Sequence, residues 1–428
     1  MPQFTAPIGT RDVFGDEAAR WEALLARFAG HVERAGYGLL VSPAFEDLAV
    51  FQRVGEGTDV VRKEMYDFLD KGGRRIALRP EGTASVVRAF VQHRPPTPFK
   101  AWYVAPCFRY ERPQAGRLRQ HHQLGVEVLG PDDPDVDVEV IAVGHEFLRS
   151  LGLTGIDLLV NSMGDRAGRA AYLDVLRRFL DEHRGDLAEE DREKVDAHPL
   201  RVLDSKRHAS RSVVAHAPSI LDHLSDDAAA HFERVQTGLR ELGIPFRVEP
   251  RLVRGLDYYT HTTFELQSTA LEAAQNTVMG GGRYAGLSEA LGGPPTPGTG
   301  FGSGIERVLL ACDAEGVFPA PPPRLDAFVV DVTGGTHARA ITAELRRAGL
   351  ATDRAWDQRS MKAQMKLADR SGAAVAVIVG QDEAATGTVT LRPLRGGDQE
   401  VVDRQDVVRA VADLRARRAP RPSTPSTR

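Results

Sequence analysis

The chain has 428 residues, more than one ordinary domain needs, with 42% apolar and 27% charged residues, the balance of a globular protein that buries a real core. Its formal net charge of −4 supplies no global basic field, so any contact with nucleic acid has to come from local patches. The two cysteines, Cys107 and Cys312, lie far apart and form no Cys-x-x-Cys pair, which argues against a thiolate zinc site or a disulfide framework; they read as two buried small hydrophobes.

The N-terminus has no basic start followed by an apolar run, and no stretch approaches the ~20 apolar residues of a membrane helix, so a cytoplasmic protein with no membrane partner is expected. Residues 16–36 predict a helix, with Trp21, Leu24, Leu25 and Phe28 at helical spacing and Gly36 ending the run. A strand at Leu39–Val41 leads to Pro43. Stronger strand signals follow at Arg74–Leu78, Ala101–Tyr110 and Leu124–Leu129.

From about 164 to 250 the character changes to charged amphipathic helices, among them Ala170–His183 and Asp226–Leu242, which predicts a helical insertion in a sheet-based domain. Strands return at Leu252–Val253 and Thr262–Gln267. The segment Val317–Leu325 carries Pro319, Pro321, Pro322 and Pro323, a stiff linker that sets the domain boundary after residue 325. Beyond it, strands at 326–332 and 373–380 alternate with helical patterns, which predicts a small α/β domain with parallel strands over 326–417. That domain is close to charge balance. Residues 418–428, rich in Pro, Ser and Thr, read as a disordered tail.

The segment AWYVAPCFRYERPQAGRLRQHHQLGVEVLG (101–130) reads as a strand, a loop and a returning strand. Side chains alternate faces along a strand, so Arg109 and Glu111 are expected on one face of the first strand, and Gln123 and Glu127 on one face of the second. The loop adds Arg112, Arg117 and Arg119. Buried charges are costly unless paired or serving a ligand. The pattern therefore favours a site for an anionic ligand such as a nucleoside triphosphate over a solvated hairpin with surface salt bridges. The adjacent His121 and His122 point to opposite faces of a strand and do not readily chelate one metal, so no metal site built from protein side chains is expected.

In GTGFGSGIERVLL, Gly298, Gly300, Gly302 and Gly304 recur with period two. Glycine weakens a strand, so this stripe is read as close approach of a flat ligand to bare backbone, with Arg307 near the start of the following helix; a flexible loop is the alternative. The run lacks the Gly-Lys-Ser/Thr ending of a phosphate-binding Walker loop. The cluster Gly280–Gly282, followed by Arg283 and Tyr284, is weak alone. RLVRGLDYYTHTTFE (251–265) brings Arg254, Asp257, Tyr258 and Tyr259; a strand with a surface arginine explains it equally well. RPEGTASVVRAF (79–90) places Glu81 and Thr83 at a turn before a helix, which a capping threonine alone would explain.

Together these segments resemble the class II aminoacyl-tRNA synthetases, and among them the histidyl-tRNA synthetase family. FRYERPQ with RQHHQLGVEVLG resembles motif 2, GTGFGSGIERVLL motif 3, and ERAGYGLLVSPAFED (33–47) motif 1. RGLDYYTHTTFE resembles the histidine-specific signature. The likeness also covers GTRD (9–12), PLRVLDSK (199–206) and RSMKAQMKLADRSGA (359–373), nearly the whole chain to about residue 415.

The resemblance implies an α/β multidomain protein: an antiparallel-sheet catalytic core with a helical insertion, and a C-terminal α/β anticodon-binding domain. It implies a histidine–tRNA ligase acting on L-histidine, ATP with Mg²⁺, and tRNA(His), as a homodimer through motif 1. Arg109 and Arg254 are the implied catalytic residues at the α-phosphate. Glu81, Thr83, Gln123, Glu127, Tyr258 and Tyr259, with the two arginines, are the implied histidine ligands. Glu111, Arg117, His121, Gly302, Gly304 and Arg307 complete the implied ATP site. Arg112 and Gln114 are implied to reach the tRNA acceptor end. The family commonly has an aromatic carbocycle where this chain has His121.

Those residue types suit the implied chemistry. A carboxylate is already a nucleophile, so fixed guanidinium groups that stabilise charge at phosphorus suffice and no general base is needed. The competing expectation is a catalytically inactive, histidine-binding regulatory paralogue of histidine biosynthesis. Such proteins lose catalytic arginines and lack the C-terminal domain.

Overall fold

The computed structural model describes residues 4–55, 60–114, 116–203, 205, 207–253, 258–272, 275–322, 325–356 and 359–418. Two expectations from the sequence, the role of Arg254 (with Asp257) and the disorder of the terminal tail from 419 on, lie outside the described residues. The chain divides between Ala320 and Pro321, inside the proline-rich stretch.

The first unit contains β1 (Gly38–Leu39), β2 (Phe45–Asp47), β3 (Asp67–Leu69), β4 (Arg75–Leu78), β5 (Phe99–Phe108), β6 (Gln120–Leu129), β7 (Ile156–Ser162), β8 (Arg247–Val248), β9 (Tyr259–Ser268), β10 (Thr277–Tyr284) and β11 (Gly298–Gly304). Eight of these form one sheet in the order β1-β5-β6-β11-β10-β9-β7-β8, antiparallel from β5 through β7 with a parallel strand at each edge. The other three form a small antiparallel sheet, β2-β4-β3.

Helices cover one face of the large sheet. Leu24 and Phe28 of helix Asp16–Arg34, Ile141 and Phe147 of helix Pro134–Ser150, and Phe232 and Val235 of helix Asp226–Glu241 bury against Val126, Phe264 and Phe301 of the strands. This apolar stripe drives the helices onto the sheet; the other face carries polar residues and is covered in part by Val86, Val87 and Phe90 of helix Thr83–His93. Between β7 and β8, short helices collect around Tyr172, Leu176, Leu180, Val195 and Val202. Asp191, fully buried there, accepts hydrogen bonds from Ser205, from Ser210 at 2.7 Å and from Arg207 at 2.7 Å.

The second unit contains β12 (Ala327–Asp331), β13 (Thr352–Arg354), β14 (Val375–Val379), β15 (Thr388–Pro393) and β16 (Glu400–Asp403), ordered β13-β12-β14-β15-β16. The first three are parallel, as the alternating pattern predicts. β15 and β16 add an antiparallel edge that the sequence reading did not anticipate.

Four elements depart from expectation. The strand expected over Leu39–Val41 forms instead at Gly38–Leu39. The strand predicted over Ala101–Tyr110 ends at Phe108, so Arg109 and Glu111 belong to the loop that follows it. Leu252 and Val253 form no strand: the edge position beside β7 is taken by Arg247–Val248, and the Leu252 carbonyl accepts from the Asn161 side chain at 3.1 Å. The glycine cluster 280–282 lies inside β10, a full strand of the sheet. Cys107 and Cys312 are both free and buried.

Candidate active site

The polar face of the sheet is built from register. β11 pairs with β6 so that Gly300 faces Glu127 and Gly304 faces Gln123, and with β10 so that Gly298 faces Tyr284. A Cβ at Gly300 would overlap Glu127, one at Gly302 would overlap Gln123, and one at Gly298 would overlap Tyr284. The expected reason for the glycine stripe is therefore corrected: most of the bare backbone makes room for three polar side chains of neighbouring strands, which lie across it. Only Gly304 is open, its missing Cβ meeting nothing nearer than Arg307 at 3.9 Å.

Glu127 is the centre of the deeper part of the site. It is completely buried. Its carboxyl accepts from the Thr83 hydroxyl at 2.6 Å and the Tyr284 hydroxyl at 2.8 Å. Burial pushes its pKa up to about 8; the two hydroxyls oppose that shift, and nearby Glu81 adds to it. Thr83 starts the helix Thr83–His93, but it is not the cap. Glu81 caps instead, accepting from the backbone N–H of Thr83 at 2.6 Å and of Ala84 at 2.8 Å. This frees the threonine hydroxyl to donate to Glu127.

Gln123 accepts from the backbone N–H of Gly82 at 2.9 Å, which ties the same turn to β6. Tyr258 sits between Tyr259 and Tyr284, with ring centroids 4.7 and 5.7 Å away. Tyr103, which lies beneath Gly82 and Gly125, and Tyr284, noted only beside a glycine cluster, were given no site role from the sequence. Tyr284 could have been found: Gly280, Gly282 and Tyr284 share one face by the same period-two rule that singled out the Gly298–Gly304 stripe.

Beside this cluster opens a cavity of about 670 Å³, lined by Arg109, Glu111, Arg117, His121, Gln123, Gly302, Gly304 and Arg307, among others. The volume suits a nucleotide-sized ligand. Arg109 is anchored by its Nε, which donates to the Pro80 carbonyl at 2.9 Å. Arg307 is anchored through Nη1 on the Thr277 carbonyl at 2.9 Å. Arg117 pairs with Glu111, whose carboxylate also lies 4.0 Å from Arg109. Burial, then the neighbouring Arg117, pulls the Arg307 pKa down, the mark of clustered positive charge awaiting an anion. Glu265 of β9, also missed from sequence, brings a carboxylate to the same cavity. Arg112 and Gln114 are exposed on the loop and do not line it.

The two adjacent histidines separate as expected. His122 turns away and pairs with Glu306 at 3.0 Å. His121 faces the cavity, and burial, followed by Arg109, pushes its pKa down to about 3. It is therefore neutral throughout the physiological range, and the affinity for a ligand stacked on it will not depend on its protonation. We expect the KM for ATP of His121→Phe and of the unaltered chain to have the same pH profile between pH 5.5 and 8. A wild-type KM that rises toward pH 5.5 while the variant's stays flat would contradict this.

A mostly antiparallel sheet carrying an arginine-lined cavity on its polar face, followed by a separate α/β unit, defines a class II aminoacyl-tRNA synthetase. Residues 9–308 match the family model described as histidyl-tRNA synthetase, and residues 326–414 match the anticodon binding domain model. The chain is 48% identical over 419 residues to a histidine–tRNA ligase of Rhodococcus erythropolis, covering 96% of this chain and 98% of that protein. It is 43% identical over 418 residues to the corresponding ligase of Listeria innocua, again covering 96% and 98%. A crystal structure of apo histidyl-tRNA synthetase from S. aureus superposes with a TM-score of 0.81 at 34% identity, covering 96% of this chain and 100% of that one. The chain belongs to the histidyl-tRNA synthetase family.

Proposed function

We propose that the protein activates L-histidine with ATP to histidyl-adenylate and transfers the histidyl group to the 3′ end of tRNA(His). The observation that carries this reading is the buried Glu127 carboxyl, held between Thr83 and Tyr284, directly beside a cavity walled by Arg109, Arg117 and Arg307. The regulatory-paralogue reading is disfavoured, since the chain keeps those arginines and matches the anticodon-binding model over residues 326–414.

In this reading the imidazole of histidine meets Glu127 and Tyr259, with Tyr258 packed behind, and the α-amino group meets Glu81, Thr83 and Gln123. Arg109 and Arg254 hold the histidine carboxylate against the α-phosphate and stabilise the charge that grows on its oxygens. Arg117, Glu111 and Arg307 hold the rest of ATP, with adenine on His121 beside Gly302 and Gly304. The reacting carboxylate needs no base. An amino acid that offers no ring N–H leaves the buried Glu127 carboxyl without the donor that the pocket is shaped to supply, and is rejected without editing.

Among the described residues, no group of three or more His, Cys, Asp or Glu side chains could hold a metal alone. The carboxylates of Glu111 and Glu265 on the cavity wall suit Mg²⁺ in its usual mode, one or two protein carboxylates plus substrate phosphates. When bound, the ion would neutralise phosphate charge.

Exposed Arg112 and Gln114 are assigned to the tRNA acceptor end. The segment 326–417 is assigned to the anticodon, and 1–325 to catalysis. A homodimer is assigned through the motif 1 segment, where Leu39, Val41 and Phe45 are exposed apolar side chains on one stretch of chain. No helix among the described residues is long and apolar enough to cross a membrane, and the assigned location is the cytoplasm, where tRNA is charged.

The decisive experiment is ATP–pyrophosphate exchange with each of the twenty amino acids. Exchange that requires histidine supports the reading; pure, folded protein without it refutes the ligase. A chain truncated at Pro319 is expected to lose tRNA charging far more than exchange. Unchanged charging by that truncation would contradict the role given to the second unit.

A further inference from the structure

Behind the histidine pocket, on the helix-covered face of the sheet, lies a second buried polar cluster that the reaction does not use. Its centre is Asp137 on helix Pro134–Ser150, completely buried. Asp137 gathers donors from three separate elements. Thr299 of β11 donates its hydroxyl at 2.8 Å. Arg283 of β10 donates through Nε at 3.0 Å and pairs through Nη2 at 2.9 Å. His231 of helix Asp226–Glu241 lies with Nε2 at 2.8 Å. Its neighbours hold the Asp137 pKa below the usual carboxylate range despite burial. The carboxylate can only accept, so His231 Nε2 carries the proton and donates.

Arg283, itself 1% exposed, also donates to the Asp133 carbonyl at 2.6 Å and pairs with Asp132 at 3.1 Å. Two buried charges are an expensive way to hold a sheet together. Apolar residues of the same volume would usually do as well, so such a pair points to a requirement for position.

That position is the wall of the histidine pocket. The register between β9 and β10 slips twice, once between Thr277 and Met279 and again between Gly282 and Arg283, where Gly282 faces Thr263 while Arg283 faces Thr260. The bulge contains His261 at φ 48°, a left-handed conformation that is strained for a residue other than glycine. The His261 ring stacks on His231, centroids 4.6 Å apart and 25° between planes, and the Thr262 hydroxyl lies 3.5 Å from His231 Nε2. On the far side of the bulge, Tyr284 faces Tyr259, and Tyr284 holds Glu127. Strain of this kind persists only where surrounding contacts over-determine it; here the His261 backbone is bonded to Met163 at 2.6 Å and Gly164 at 2.9 Å, and its ring is held by His231, which the Asp137 network fixes in turn.

We propose that Asp137, Arg283 and His231 form a positioning network that sets the β9 bulge and the end of β10, and so places Tyr259 and Tyr284 around the imidazole of the substrate. The inference rests on the ligase reading above. It distinguishes the network from plain packing, because the histidine pocket lies over the bulge while the anchors of the ATP cavity, Arg109 on Pro80 and Arg307 on Thr277, are independent of it.

The test uses His231→Phe and Thr299→Val, each of which removes one donor to Asp137 and leaves the Arg283–Asp137 pair intact. In pyrophosphate exchange with the full chain, each is expected to raise the KM for histidine about tenfold, as a coupling of ordinary size would. The KM for ATP should stay unchanged. His231→Gln, which keeps a side-chain N–H, should restore the histidine KM to near the wild-type value. A lowered melting temperature with an unchanged histidine KM, or a parallel rise in both KM values, overturns the proposal. Wild-type protein without histidine-dependent exchange overturns the ligase reading instead, and this inference with it.

Discussion

Arg109→Met should lower kcat/KM for histidine-dependent pyrophosphate exchange by about 10²–10³, on the scale of removing one preorganised donor to a developing oxyanion. The expectation rests on how the guanidinium is held. Its Nε is spent on the Pro80 carbonyl at 2.9 Å, so the remaining N–H groups are aimed into the cavity before substrate arrives. Most of the loss should appear in kcat, because the interaction strengthens only as charge accumulates at phosphorus. Arg109→Lys should recover little. A single ammonium cannot hold the carbonyl and the phosphate oxygens at the same time. Full activity in the lysine variant, or a change confined to KM, would rule out the assigned role.

Glu127→Gln should cost about 10²-fold in kcat/KM for histidine, near the upper end expected for losing a hydrogen bond to the carboxylate form that a bound ring N–H favours, and should leave the KM for ATP unchanged. The same substitution makes a second, independent prediction about stability. The folded carboxyl titrates at about 8, above its ordinary 4.5, because it is buried. A raised folded pKa means that the protonated form is favoured in the native state. Its stabilising contribution is complete below the unfolded value and is lost as pH rises through about 8. Ligand-free wild-type protein should therefore lose melting temperature relative to Glu127→Gln between pH 5 and 8.5. Saturating histidine should return part of that loss to the wild type alone. Parallel melting curves for the two proteins across this range would show that burial does not raise the Glu127 pKa as described.

The position of the candidate site was largely legible in the sequence, because the chemistry announces itself locally. Arginines and glutamates clustered between two apolar strands over 101–130, Gln123 and Glu127 on one face of the second strand, glycines at period two over 298–304 and a Glu-Gly-Thr turn before a helix are each costly without a ligand or a partner. Helices were the most legible elements. Asp16–Arg34 and Asp226–Glu241 fall close to their predicted spans, since their apolar periodicity and end residues are encoded within the helix itself. Arg254, implied by resemblance to be central, falls outside the described residues, and its role stands as a proposal.

By itself, then, the sequence determined which residue types are present and which side of each strand they occupy, because side-chain alternation is a local property of an extended backbone. Only the tertiary structure decided what meets what. Glu127 reaches Gly300, and Tyr284 reaches Gly298, through the pairing of strands far apart in the chain, and no local pattern specifies that register. The same pairing made a strand of the glycine-rich stretch Thr277–Tyr284, against its propensity, by hydrogen-bonding it on both edges. Leu252 and Val253 went the other way: the edge beside β7 was already filled, and the Leu252 carbonyl found its partner in a side chain. Burial completed the site, since a carboxyl becomes a neutral acid at pH 7 only when the fold has removed the water around it.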